Sequence, residues 1–158
     1  MIKAIFNLQM VTVNFFHLQS ILNLRIRLCS TAVTKENFTV GSTAFLERKI
    51  TQEDVKLFSE LSGDWNPVHH RSDKPVVHGA LLNGLVSGLI GTKLPGPGTL
   101  LVRETLRFPN PCYVGDTVVV TLELTDVKRI ISCKFNVTSK EQNSVVMEGE
   151  AKLLIKDV

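Results

Sequence analysis

Residues Ala80–Leu94 read ALLNGLVSGLIGTKL, and no other stretch constrains the fold as tightly. Leu81, Leu82, Leu85, Val86, Leu89 and Ile90 recur at helical spacing, so the segment is an apolar helix. Gly84, Gly88 and Gly91, with Ser87, make a second face of small residues. Each interior glycine costs a helix about 1 kcal/mol against alanine. Close backbone approach along that face is the expected compensation, which predicts a helix wrapped by other structure. Pro95–Gly98 ends it, and everything afterwards reads as strand: Leu100–Phe108, Thr117–Leu124, Ile130–Val137 and Val145–Ile155. Turn-forming residues divide these runs at Pro109–Pro111, Asp126 and Lys140–Asn143. Ile131, Cys133, Phe135 and Val137 alternate with Ser132, Lys134 and Asn136, the period of a strand with one buried face.

Upstream, Thr43–Ile50 reads as a short strand, and Thr51-Gln52-Glu53-Asp54 starts a helix. Thr51 can cap it, the two acids suit the positive end of the dipole, and Val55, Phe58 and Leu61 supply an apolar stripe. Ser62-Gly63 stops it. A strand, a buried helix and then a run of antiparallel strands is an α+β pattern, one sheet curled around one helix. The chain's 158 residues suit a single domain of this kind.

Charge divides the chain in two. Residues 1–35 hold Lys3, Arg25, Arg27 and Lys35 and no acid, which leaves 14 basic and 15 acidic groups for the remaining 123. A near-neutral body without a Lys/Arg cluster argues against nucleic-acid binding. Between Lys3 and Arg25 lie 21 uncharged residues, of which Asn7, Gln9, Thr12, Asn14, His17, Gln19, Ser20 and Asn23 are polar. That load is heavy for a bilayer helix, so no stable membrane span is expected. A basic, acid-free, polar-interspersed segment fits a mitochondrial presequence. We therefore read 1–30 as a targeting segment, 31–158 as the folded domain, and the location as mitochondrial. Cys29, Cys112 and Cys133 are odd in number and lack metal-ligand spacing, so buried or idle thiols are expected, with no disulfide and no metal. The Asn-x-Thr triplets at Asn37 and Asn136 read as chance matches.

The chemistry concentrates in Phe58-Ser-Glu-Leu-Ser-Gly-Asp64-Trp-Asn66-Pro67-Val-His69. A carboxylate and an imidazole five residues apart flank a rigid Asn-Pro turn directly after a helix-ending glycine. Pro67 fixes its own φ and biases Asn66 toward extended backbone, so Asp64 and His69 can face one cleft. On spacing alone such a helix-end loop is more often only a turn.

The same stretch resembles the hydratase-2 signature of the MaoC-like dehydratases, the R-specific enoyl-thioester hydratases: aromatic, spacer, aliphatic, small, Gly-Asp-x-Asn-Pro-aliphatic-His. His78-Gly79 resembles the family's His-Gly pair before the central helix, and residues 107–116 resemble its strand-to-strand connection. The likeness spans roughly residues 43–156 and, with the presequence-like start, is closest to the mitochondrial 3-hydroxyacyl-thioester dehydratases. It implies a hot-dog fold, a long central helix wrapped by an antiparallel sheet, usually paired as a homodimer. The implied reaction is reversible dehydration of (3R)-3-hydroxyacyl thioesters of CoA or acyl carrier protein to trans-2-enoyl thioesters, without a cofactor. It needs a base for the α-proton, an acid for the β-hydroxyl and a donor for enolate charge. By resemblance Asp64 and His69 are the catalytic pair, Asn66 orients that pair or the water, and the Gly79 N–H meets the thioester oxygen at a helix N-terminus.

Other residues have plainer readings. Trp65 either lines an acyl pocket or packs at the surface; His70 is solvated; His78 packs. Arg103 and Arg107 either dock an acidic carrier or form a solvated strand face. The connector from the motif histidine to the His-Gly pair departs from the family: only His70–Val77 intervene, about half the usual length, and Pro75 stands where the signature has Ala or Ser. Two alternatives therefore accompany the enzyme reading: a weak or inactive hot-dog acyl-thioester-binding protein, and a hot-dog thioesterase.

Overall fold

The computed structural model describes residues 38–71 and 73–156. Residues 1–30, read above as a targeting segment, with His17 and Cys29, and the triplet at Asn37 lie outside them. The elements run β1 (Thr43–Lys49), α1 (Gln52–Ser62), a 3-10 turn (Pro67–His69), α2 (Gly79–Thr92), β2 (Thr99–Arg107), β3 (Thr117–Val127), β4 (Ile131–Ser139) and β5 (Ser144–Ile155).

All five strands form one antiparallel sheet in the order β1-β3-β4-β5-β2. The chain leaves edge strand β1, runs through both helices, and returns as the opposite edge, β2. Helix α2 covers the sheet's inner face, burying Leu82, Val86, Leu89 and Ile90 together with Val118, Val120, Leu122, Leu124, Ile131, Phe135, Val137, Met147 and Leu153. This is the α+β hot-dog arrangement, a central helix against a curled sheet, as the apolar helix and the alternating strands predict.

Gly149 makes room for close neighbours on both adjacent strands. It pairs with Leu106 on one side and Phe135 on the other. A Cβ there would press into the Thr105 carbonyl oxygen and come within 2.7 Å of the buried Phe135 ring. Gly149→Ala is therefore expected to cost about 1–3 kcal/mol, the scale of overpacking, read as a lower urea midpoint with an unchanged slope.

Three expectations need correction. The turn placed at Asp126 is a β-bulge: pairing with β4 shifts register between Leu124 and Asp126, and β3 continues to Val127. Leu61 is 84% exposed, while Val55 and Ser59 are the residues of α1 that bury. Steps of three fall short of the 3.6-residue turn, so by Leu61 the stripe has rotated off the core. The glycine face of α2 is open. A Cβ at Gly84, Gly88 or Gly91 would meet nothing within 4 Å, so the described residues make no close approach there.

Cys112 and Cys133 are buried free thiols, as expected. Burial raises them, to about 12 for Cys112 and about 11 for Cys133, so neither is a nucleophile near neutral pH. Cys112 belongs to a loop pinned by Asp116, whose Oδ2 accepts from the Tyr113 N–H (3.1 Å), the Ser139 hydroxyl (3.0 Å) and the Gln142 amide (2.6 Å). No helix of the described residues is long and apolar enough to cross a membrane.

Candidate active site

Helix α1 opens with a capping box. The Thr51 hydroxyl accepts from the Asp54 N–H at 3.1 Å, and Asp54 accepts from the Thr51 N–H at 2.9 Å. It closes at Gly63, whose φ of +76° is left-handed and whose N–H returns to the Ser59 carbonyl. Glycine takes that conformation without the penalty of a Cβ, and it turns the chain straight into Asp64.

Two stacked side-chain turns shape the next five residues. Asp64 Oδ1 accepts from the Asn66 N–H at 3.1 Å, and Asn66 Oδ1 accepts from the Val68 N–H at 3.2 Å. Pro67 starts the 3-10 turn, where a missing N–H costs nothing, and the turn presents His69. Asn66 thus orients Asp64 through its backbone, while its side-chain oxygen is spent on Val68.

His69 is held by its far nitrogen. The Nδ1–H donates to the Val76 carbonyl at 2.7 Å. Since a carbonyl only accepts, Nδ1 carries the proton and Nε2 has the free lone pair in the neutral ring. That Nε2 faces Asp64 Oδ2 at 3.7 Å, beyond direct hydrogen-bond length. The two acceptors flank a small gap. Asp64's side chain is half exposed on its solvent side, and His69's is mostly buried.

Val76 is in turn placed by the connector. Val76 bridges Tyr113, the Val77 N–H donates to the Cys112 carbonyl at 2.8 Å, and the Val114 N–H donates to the Pro75 carbonyl at 3.0 Å. The end of the short connector is therefore laid as an extended strand against the loop that Asp116 pins.

His78 belongs to the cluster rather than to simple packing. Its ring stacks on His69 with centroids 3.6 Å apart and planes at 23°. Its Nε2 lies 3.2 Å from the Asp64 carbonyl oxygen, 3.3 Å from the Ser59 hydroxyl and 4.0 Å from Asp64 Oδ2. Burial pushes its imidazole below the usual histidine range. His69 and His70 push the same way, while the bond to the Asp64 backbone and the Asp64 charge oppose them. His70 is also placed rather than solvated: its Nε2 is 3.1 Å from the Ser59 hydroxyl and its ring stacks on Trp65, 5.2 Å away. Trp65 itself is about half exposed, at 54%. No local pattern flags this clustering, because His78 reaches His69 through tertiary packing alone.

Gly79 is the first residue of α2, so its N–H has no intrahelical partner and sits at the positive end of the dipole. A Cβ at Gly79 would fall 2.7 Å from the Phe108 ring. Glycine thus lets Phe108 lie against the helix start, a contact the sequence reading missed. Arg103 and Arg107 are exposed on β2, Arg107 paired with Glu148 at 2.7 Å, which fits a solvated strand face. Arg107 borders a cavity of about 650 Å³ that Thr105, Lys134 and Glu150 also line.

Asp64, His69 and His78 bring one ligand-type atom each within 4.8 Å of one another. The set suits a proton better than a cation. The Asp64 carbonyl requires a proton on His78 Nε2, the nitrogen that a cation would need bare.

Comparison with known proteins identifies the family and the fold. Residues 38–147 match the family described as MaoC like domain. An (R)-specific enoyl-CoA hydratase of Rhodospirillum rubrum is 35% identical over 131 residues, covering 76% of this chain and 90% of the relative. A mitochondrial 3-hydroxyacyl-[acyl-carrier-protein] dehydratase of Arabidopsis thaliana is 27% identical over 148 residues, covering 85% of this chain and 88% of its own length. Among solved structures, the (R)-hydratase of Aeromonas caviae superposes with a TM-score of 0.71 at 30% identity, covering 77% of this chain and 99% of that one. On fold, motif and relatives together, the chain belongs to the MaoC-like dehydratase family, a family of hydro-lyases.

Proposed function

We propose that this chain interconverts (3R)-3-hydroxyacyl thioesters and trans-2-enoyl thioesters, with Asp64 and His69 as the catalytic pair and Asn66 and Gly79 holding the substrate-side geometry. The observation that carries the reading is Asp64 Oδ2 facing His69 Nε2 across 3.7 Å. Both atoms are acceptors, so one water can donate a hydrogen to each. In the hydration direction the water oxygen bonds to C3 as one of its protons passes to the pair. The electrons of the C2=C3 bond move onto the thioester carbonyl, and the Gly79 N–H at the helix N-terminus meets the developing negative oxygen. The enolate then collapses and C2 takes a proton from the pair. Dehydration runs the same steps backwards. Side chains and one backbone N–H suffice for this chemistry.

The acyl group travels as a thioester of CoA or of acyl carrier protein. Mitochondrial placement is supported by the acid-free, basic start of the chain and by the mitochondrial relative from Arabidopsis. Residues 1–30 fused to a reporter are expected to send it to mitochondria; diffuse cytosolic or secretory signal would contradict that. A homodimer is supported by edge strand β2, where Leu100, Leu101 and Val102 are 45%, 48% and 56% exposed, and by the uncovered glycine face of α2. An unpaired apolar edge is a site for further strand pairing.

A second reading, acyl-thioester binding with little turnover, is favoured by one feature: the short connector beside a half-exposed Asp64. Incubation with crotonyl-CoA separates the readings. Loss of enoyl absorbance supports the hydratase and release of free CoA supports a thioesterase. Saturable binding without either product supports a binding protein.

A further inference from the structure

We propose that His78 is a positioning residue of this site, a buried neutral imidazole that fixes both members of the Asp64–His69 pair and leaves His69 as the histidine that carries a proton. The kinetic part rests on the hydratase reading above; the tautomer part does not.

Hydrogen-bond polarity sets the tautomer. His78 Nε2 lies 3.2 Å from the Asp64 carbonyl oxygen, an atom that only accepts. Nε2 must therefore carry the hydrogen. Nδ1 is buried and has no hydrogen-bond partner among the described residues. Protonating it would place an N–H where nothing accepts and a positive charge against the His69 ring, whose centroid is 3.6 Å away. His69 differs in both respects. Its Nδ1–H is satisfied by Val76 at 2.7 Å, and its Nε2 faces Asp64 Oδ2 across 3.7 Å. Two stacked imidazoles of opposite tautomer thus divide the work: one holds geometry, the other exchanges protons.

The charged and titratable groups around His78 are few. Asp64 Oδ2 is 4.0 Å from its Nε2, and His69 is stacked on it. His70 reaches it through Ser59, whose hydroxyl is 3.3 Å from His78 Nε2 and 3.1 Å from His70 Nε2. Phe58 of α1 packs on the ring with centroids 5.0 Å apart. His78 also occupies the N-cap position of α2 through its backbone, immediately before Gly79, so one residue joins the Asp64 loop, the His69 ring and the helix start.

Two measurements test this. In 15N-detected NMR of the unaltered protein, His78 should appear as the Nε2–H tautomer and stay neutral as pH falls below 6.5, while His69 appears as the opposite, Nδ1–H tautomer. A His78 that titrates normally or carries its hydrogen on Nδ1 would overturn the proposal whatever the enzyme's activity. Kinetically, His78→Phe keeps a ring and removes the donor, whereas His78→Gln keeps a donor at the Nε2 position. A misplacement of about 1 Å costs about 10²-fold, so His78→Phe should lower kcat by about that factor with KM within about threefold, and His78→Gln should recover most of it. Equal losses in the two variants, or no loss in either, would reduce His78 to packing.

Discussion

Asp64→Asn and His69→Gln should each lower hydratase turnover by at least about 10²-fold, the scale of a lost acid–base group. The Asp64 substitution is the cleaner. Asparagine keeps an Oδ1 that accepts the Asn66 N–H at 3.1 Å, so the turn survives, while the second oxygen no longer takes a proton. Because Asp64 is half exposed, stability should stay close to the parent. His69→Gln additionally gives up the 2.7 Å bond to Val76 and the stack on His78, so a loss of about 1 kcal/mol is expected beside the kinetic one. Turnover by either variant at the parent rate would remove the assigned pair.

The second large effect runs the other way. Between His69 and His78 the chain has eight residues. Nine steps at about 3.3–3.6 Å allow roughly 30 Å, and the path closes without a helix among its described residues. Pro75–Val77 lie against residues 112–114 of the pinned loop, and this fixes Val76 where it holds His69. The short connector therefore preserves the pair. By resemblance to the family, a longer connector would add a short helix beside the proposed acyl site, and Asp64 here is half exposed. Grafting a full-length family connector between His69 and His78, with Val76 retained, is expected to raise crotonyl-CoA turnover by up to about 10²-fold, the scale of improved placement. A parent already as fast as the graft would make the missing segment dispensable.

What could be read in advance follows from how local each interaction is. The capping Thr51, the helix-ending Gly63 and the rigid Pro67 act within a few residues, so the turn carrying Asp64 and His69 is legible from the chain alone. The same holds for the apolar face of β4, whose Ile131, Cys133, Phe135 and Val137 are all buried, although Ser132 on the other face is buried too. The exposure of Leu61 was obtainable too, since a strict 3.6-residue period selects Val55 and Ser59 instead. The remainder depends on distant partners. Whether Asp126 ends a strand or sits beside a bulge is decided by β4 across the sheet. The stack of His78 on His69 needs the connector's path, and Ser59 joins His70 to His78 only once α1 has docked. The open glycine face shows that small residues permit close approach without specifying what approaches.

The most direct test of the central claim is the configuration at C3 of the hydration product. Trans-2-butenoyl-CoA incubated with the protein and resolved by chiral chromatography should give the (3R)-3-hydroxy thioester, and Asp64→Asn should suppress it. A (3S) or racemic product, or none at all under conditions where the thioester binds, would contradict the account.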